Sequence, residues 1–290
     1  MNNENHIKKI ASTIFGQDPA EVTIIRRLMG GMSNYTYVIS VSGEKYTFRI
    51  PGRNAEKFVD RDIEQYHLEL INPLMINNET VHIDTKSGVK IARYVEGVPL
   101  HEKRPYDYLE EAAGILRKIH TSGIKSDFDY APFERLKTYE DHVKAHGHSH
   151  DARYEALKAR LTAHRDFLDR FGKTLTHGDA QISNFVVTED GLQLMDWEFT
   201  GNNDPYYDIA CFGNNDFDHA VALLPVYLAR APKNEDYKRL YLWRAFQCLQ
   251  WHNVALYKHF IGLSENLKID FDKISELYLD KAKAMLDKVK

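Results

Sequence analysis

Between Thr176 and Thr200 the chain reads THGDAQISNFVVTEDGLQLMDWEFT. Two short apolar runs, Phe185 to Val187 and Leu192 to Met195, flank Thr188-Glu189-Asp190-Gly191, whose polar residues and glycine suit a hairpin turn. A hairpin returns its outer ends to one place, so Asn184 before the first strand and Asp196 after the second are expected side by side. Asp179 sits in a loop five residues before Asn184. Two carboxylates and an amide converging on one point are what a divalent cation held by oxygen ligands, together with one general base, requires.

The chain has 290 residues, of which 43% are hydrophobic, enough for one large domain or two lobes with buried cores. Lysine plus arginine total 38 against 42 acidic residues, a net charge of −4, and no basic block marks a nucleic-acid surface. The start, MNNENHIKKI, lacks the apolar segment of a signal peptide, and no apolar run is long enough to cross a membrane, so a cytoplasmic location without membrane insertion is expected. Cys211 and Cys248 lie far apart in apolar surroundings and read as buried thiols. Nothing in the sequence fixes an oligomeric state.

The first third reads as β-structure with one helix. An amphipathic stretch around residues 4 to 15 precedes β-rich segments Thr23 to Leu28 and Tyr35 to Val41, which flank Met29-Gly30-Gly31-Met32-Ser33-Asn34. The paired glycines allow a tight turn whose backbone N–H groups can approach an anion, with Ser33 and Asn34 as further donors; an ordinary hairpin turn is the plainer reading. After Ser42-Gly43-Glu44, the residues Tyr46, Phe48 and Ile50 alternate with Lys45, Thr47 and Arg49, so Arg49 leaves the face opposite the apolar one. Residues 55 to 71 carry a helical stripe of Val59, Ile63, Tyr66 and Leu70, flanked by Glu64, which by itself reads as a solvated carboxylate. Val81 to Thr85 and Val89 to Val95 form another hairpin, and Glu96-Gly97-Val98-Pro99 breaks the pattern.

Beyond residue 100 the periodicity is helical apart from the central hairpin: Tyr106 to His120, then 151–171, 216–230, 236–261 and 271–288. The expected architecture is α+β and bilobal: a small antiparallel-sheet lobe with one helix, residues 1–95, and a larger mostly helical lobe, residues 96–290, with the oxygen-ligand cluster near the junction.

His177-Gly178-Asp179 with Asn184, then Asp196-Trp197-Glu198, resembles the catalytic loop and metal-binding segment of the aminoglycoside phosphotransferase and choline kinase superfamily, relatives of protein kinases. Gly30 to Asn34, Phe48-Arg49-Ile50-Pro51-Gly52, Arg61 to Glu64, Asn203-Asp204-Pro205 and Asp208-Ile209-Ala210 resemble bacterial choline kinases of the LicA type, in family order from about residue 23 to 260. The resemblance implies a protein-kinase-like fold and an ATP- and Mg²⁺-dependent kinase that phosphorylates the hydroxyl of choline to give phosphocholine and ADP. Ethanolamine or another small amino-alcohol, an aminoglycoside, or a non-catalytic nucleotide-binding role are the alternatives.

By that resemblance Asp179 is the base, and Asn184 and Asp196 hold Mg²⁺ against the nucleotide phosphates. Gly30, Gly31, Ser33 and Asn34 cover the phosphates. Arg49 takes the place of the phosphate-binding lysine of protein kinases, its fork suited to two phosphate oxygens, and is paired with Glu64. Backbone groups of Arg93, Tyr94 and Val95 are expected at the adenine edge. His177 and Asp208 brace the catalytic loop.

A quaternary ammonium cannot donate a hydrogen bond, so choline needs aromatic faces and nearby negative charge. Trp251 stands where such kinases place cage aromatics; Trp197, Tyr206 and Tyr207 are further aromatic candidates, and Glu198 and Asp204 could supply charge. Two positions depart from the pattern: Val254 replaces a second tryptophan, and Asn215 a glutamate. His142, His146, His148 and His150 could bind a transition metal, though a run between helices without a nearby cysteine favours none. Phe128 to Phe133 reads equally as an acceptor-pocket wall or a loop anchor.

Overall fold

The computed structural model describes residues 3–28 and 34–289. Gly30, Gly31 and Ser33 therefore lie outside the described residues. Contacts within the chain divide it into two compact units, Met1–Val98 with Val186–Phe199, and Pro99–Phe185 with Thr200–Lys290. Continuity of sequence places Val186–Phe199 in the second lobe; its contacts group it with the first.

In the first unit, α1 (Asn3–Phe15) leads into β1 (Val22–Leu28), β2 (Asn34–Val41), β3 (Glu44–Pro51), α2 (Arg61–Ile71), β4 (Thr80–Ile83) and β5 (Lys90–Arg93). The strands form one antiparallel sheet in the order β1-β2-β3-β5-β4. Ser42 and Gly43, at φ 51° and 88°, make the two-residue β2–β3 turn, a geometry whose twist matches that of the strands. Alternation then puts Tyr46 and Phe48 into a core with Ile7, Ala11, Val22, Ile39, Val41, Val89 and Ile91. Each fully buried side chain of this size contributes roughly 1.5–3 kcal/mol. Arg49 leaves the other face, and the register sets Lys90 directly opposite it.

The helix α2 buries a different stripe from the expected one. Arg61, Glu64, His67, Leu68 and Ile71 face inward, while Ile63, Tyr66 and Leu70 are only partly covered. The reason is electrostatic: a buried glutamate is tolerated where cations surround it.

β6 (Val98–Pro99), β8 (Phe185–Thr188) and β9 (Gly191–Leu194) form a second sheet in the order β6-β8-β9. A Cβ at Gly97 would stand 2.5 Å from the Val187 carbonyl oxygen, so the chain can pass the hairpin there only as glycine.

The second unit contains α3 (Leu109–His120), α4 (Pro132–Lys144), α5 (Ala152–Thr162), α6 (Arg165–Leu168), β7 (Thr174–Thr176), β10 (Gly201–Asn203), α7 (Tyr206–Phe212), α8 (Phe217–Leu228), α9 (Asn234–Phe260), α10 (Leu263–Leu267) and α11 (Phe271–Leu286). α4 was not among the expected helices, because its sequence PFERLKTYEDHVK is mostly polar; Leu136, Tyr139 and Val143 form its narrow buried stripe. The 27-residue α9 is the axis of this unit, buried on nearly every side from Leu242 to Lys258, and α4, α5, α7 and α11 pack on it. Among the described residues no helix is long and apolar enough to cross a membrane.

Candidate active site

The residues of the second unit expected to be catalytic stand on the loop after β7. Asp208, fully buried at the start of α7, accepts from the backbone N–H groups of His177 at 2.7 Å and Gly178 at 2.8 Å, and its Oδ2 meets His120 Nε2 at 3.0 Å. Burial raises the pKa of that carboxyl, but hydrogen bonding and charge from His120, with the His177 contributions, outweigh it and leave the group below its ordinary value. Gly178 turns through φ 80° between those anchored amides. His177 is fully buried, and its Nδ1 accepts from the Asp179 backbone N–H at 3.2 Å. The loop is clamped from both sides at the residue that carries the carboxylate.

Asp179 itself is 8% exposed. Its Oδ2 accepts from Gln181 Nε2 at 3.0 Å and Asn184 Nδ2 at 3.2 Å, and its carbonyl accepts from the same Asn184 nitrogen at 2.8 Å. With its nitrogen bound to Asp179, Asn184 turns its amide oxygen elsewhere, as an oxygen ligand requires.

In the first unit, Asp196 follows β9 at φ 69°, a left-handed backbone uncommon outside glycine and tolerated by aspartate. Burial, and then the charge of Glu198, push its carboxyl up to about 7. Arg49 gives its fork to Glu64, at 2.5 Å and 2.8 Å, and Nη2 also donates to the Gly88 carbonyl at 3.2 Å. The fork expected for phosphate is thus committed to Glu64; Arg49 Nε is buried without a partner among the described residues. Burial pushes Glu64 up, but Lys90, Arg49 and Arg61 together outweigh it and hold the carboxyl well below the usual range.

Arg61 joins Glu64 at 2.7 Å to Glu198 at 2.8 Å, and Asn34 Nδ2 donates to Glu198 at 3.0 Å. Glu198, expected at the acceptor, is a member of this buried network, drawn there by Arg61 and by Arg49 at 3.7 Å. No role was expected for Lys90, and Arg61 was named only as the start of the Arg61 to Glu64 stretch. The Arg49–Lys90 register and the one-turn spacing of Arg61 and Glu64 are the signals that could have found them.

At the linker, Arg93 N–H donates to the Glu79 carbonyl, Arg93 C=O accepts from Asn78, and Tyr94 N–H donates to the Lys45 carbonyl. Backbone pairing and the Asn78 side chain thus engage three of the groups expected at the adenine edge.

The acceptor set changes most. Trp197 is fully buried, its indole N–H donating to the Leu194 carbonyl at 3.0 Å. Asp204 receives Arg239 on both oxygens at 2.6 Å and Trp243 Nε1 at 2.7 Å, so its charge is neutralised inside the unit. Tyr206 donates to Asp236 at 2.5 Å beneath the Arg239 guanidinium, and Tyr207 is buried with its hydroxyl 2.7 Å from that of Tyr130. Trp251, on α9, is partly exposed. Val254 is buried and Asn215 exposed.

Tyr130 anchors the Phe128 to Phe133 stretch through Tyr207 and Gln250. The histidine run packs against Tyr257, Phe260 and Tyr154, and among the described residues no group of three or more His, Cys, Asp or Glu side chains is arranged to hold a metal.

Buried polar residues of α9 were also missed. Arg244, Gln247, Gln250 and Asn253 recur every three residues along an otherwise apolar helix, and all are at most 3% exposed. A polar ladder of that kind is a readable signal of an internal hydrogen-bond network.

An antiparallel sheet with one helix packed beside its charged face, and a helical unit presenting a braced Asp-Asn loop, is the organisation of protein-kinase-like phosphotransferases. The chain belongs to the phosphotransferase enzyme family, whose model matches residues 24–243. It is 27% identical over 190 residues to Protein LicA of Haemophilus influenzae, a match covering 63% of this chain and 55% of that protein. The fold is similar to that of choline kinase LicA from Streptococcus pneumoniae (TM-score 0.80, 24% identity, 99% of each chain). It is also similar to a LicA crystallised with AMP (TM-score 0.79, 23% identity, 100% of each chain).

Proposed function

We propose that the protein transfers the γ-phosphoryl group of ATP to the hydroxyl of choline, releasing phosphocholine and ADP, in the cytoplasm. The observation that carries the reaction class is the catalytic loop: Asp179 stands on a backbone fixed by Asp208 and tied to Asn184. Phosphoryl transfer through a loose transition state asks mainly for placement and charge neutralisation, so a rigid carboxylate that orients the acceptor hydroxyl and takes its proton suits it.

Mg²⁺ is the expected ion. Asp196 fits it, because a carboxyl raised by burial and by Glu198 is one whose charge a cation relieves, and Asn184 offers an amide oxygen. When bound, the ion neutralises developing phosphate charge. Arg49 and Glu64 stiffen the sheet side of the nucleotide site; Lys90, whose ammonium gives one of three donors to Glu64 at 3.2 Å, adds positive charge for phosphate.

Choline as acceptor is supported by the LicA relatives and by the partly exposed Trp251. Another small amino-alcohol is the second reading, favoured by the burial of Val254 and by the commitment of Glu198 and Asp204 to internal pairs. An ADP-release screen with Mg²⁺ against choline, ethanolamine, other amino-alcohols and aminoglycosides tests it. Choline-dependent ADP release is expected; turnover of a different alcohol alone replaces the acceptor and leaves the kinase.

A further inference from the structure

A chain of hydrogen bonds runs from α9 to the catalytic carboxylate, entirely within the second unit. Arg244 Nη2 donates to Asn214 Oδ1 at 2.9 Å, Asn214 Nδ2 donates to Gln181 Oε1 at 2.8 Å, and Gln181 Nε2 donates to Asp179 Oδ2 at 3.0 Å. Arg244 also donates to the Asn214 carbonyl at 3.0 Å and to Gln247 Oε1 at 3.1 Å. It is 3% exposed, and these acceptors are all uncharged. A buried guanidinium is expensive, and neutral partners offset little of that cost, so its position calls for a reason beyond packing.

The two ends of the chain explain its direction. A guanidinium can only donate and a carboxylate can only accept, whereas each amide between them can present either its oxygen or its nitrogen. With Arg244 at one end, Asn214 must turn its oxygen toward α9 and its nitrogen toward Gln181. Gln181 must then turn its nitrogen toward Asp179. We propose that Arg244 is a positioning residue for the catalytic base: it sets the sense of both amides so that Asp179 always meets a donor. The inference rests on the reading of Asp179 as the base.

Cys211 on α7 and Tyr278 on α11 feel the charge of the same carboxylate. His177 Nδ1 takes the Asp179 backbone N–H, Asp208 on α7 holds the His177 and Gly178 amides, and Lys281 Nζ on α11 lies 3.5 Å from the Asn214 carbonyl. None of them dictates the orientation of Gln181.

The deciding variant is Asn214→Asp. Its carboxylate pairs with Arg244, so the fold is kept, but it presents oxygen to Gln181 and turns that amide round, leaving oxygen facing Asp179. The expected result is an unchanged Tm, a kcat lower by roughly tenfold or more, and an acid limb of kcat/KM at higher pH, with KM for ATP within about twofold. Arg244→Met should lose kcat in the same way, and Arg244→Lys, still donor-only, should recover part of it. Titration of the Asp179 carboxyl by ¹³C NMR, assigned by difference from Asp179→Asn, reads the same effect without turnover; its midpoint should rise in Asn214→Asp. An unchanged midpoint, or wild-type kcat with an unmoved acid limb, overturns the role of Arg244. Wild-type protein that turns over no alcohol, with the midpoint still shifted, counts against the kinase reading alone.

Discussion

Glu198 accepts a hydrogen bond from Arg61 Nη1 at 2.8 Å, which ties the segment carrying Asp196 to α2. The contact recasts Glu198 from a feature of the acceptor side to a determinant of where Asp196 stands. Replacing Glu198 by Ala leaves Arg61 and Arg49 facing a void, at a cost of about 3–5 kcal/mol for breaking a buried ion pair. Thermal unfolding should move to lower temperature and KM for ATP should rise, while KM for the acceptor stays put. An acceptor-only defect returns Glu198 to the role expected from sequence.

Variants of Asp179 and Asp208 are expected to separate chemistry from support. Asp179→Asn keeps its hydrogen bonds in outline but removes the proton acceptor, so turnover should fall by about 10²–10⁴ while nucleotide affinity by calorimetry is retained. Asp208→Ala leaves two backbone N–H groups and His120 without their buried acceptor. It should lower both kcat and Tm, with several kcal/mol of lost stability as the order of magnitude.

Trp251 and Asp204 divide the acceptor expectation. Trp251→Ala should raise KM for choline by roughly fivefold or more, the value of a partly desolvated cation–π contact of about 1 kcal/mol or above, at constant KM for ATP. Asp204→Asn should instead destabilise the fold, because Arg239 and Trp243 lose their common partner. Steady-state kinetics beside thermal melts distinguish the two.

The acid limb of stability follows from two buried imidazoles. Burial lowers the pKa of both His67 and His252 from 6.5 to about 4. The folded state therefore holds them neutral. Their stabilising contribution is complete above the unfolded pKa of about 6.5 and is lost as pH falls through 4, by up to about 3 kcal/mol each. Their part of Tm should be flat above pH 7 and decline between pH 6.5 and 4, against the opposite contribution of Asp196, whose carboxyl is held up at about 7. His252→Asn, which can still donate to the Ser275 carbonyl, should flatten that decline.

Local alternation made the β2–β3 hairpin legible, since Tyr46 and Phe48 alternate with Thr47 and Arg49 and a two-residue turn precedes them. The Asp179–Asn184 contact was legible for a similar reason: the two lie five residues apart in one short stretch. Burial of charge was not. Glu64 sits inside because Lys90 and Arg49 arrive from two strands to join Arg61, one turn away on its own helix, and no period of α2 encodes the arrival of the strand cations. The same holds for Asp204, whose partners Arg239 and Trp243 are 35 and 39 residues away. Aromatic and acidic residues near the central motif therefore looked available for a ligand when distant residues had already claimed them.

The grouping of Val186–Phe199 with Met1–Val98 bears on how the chain is made. A ribosome releases residues in order, and a unit folds once all its parts have emerged. The larger segment of the first unit precedes the second unit in sequence, yet it lacks the β8–β9 hairpin, Asp196 and the Glu198 partner of Arg61 until residue 199 has been synthesised. During that interval α2 carries Arg61 without Glu198. The unit whose larger segment is made earlier is thus completed only after Pro99–Phe185 of the other unit has emerged.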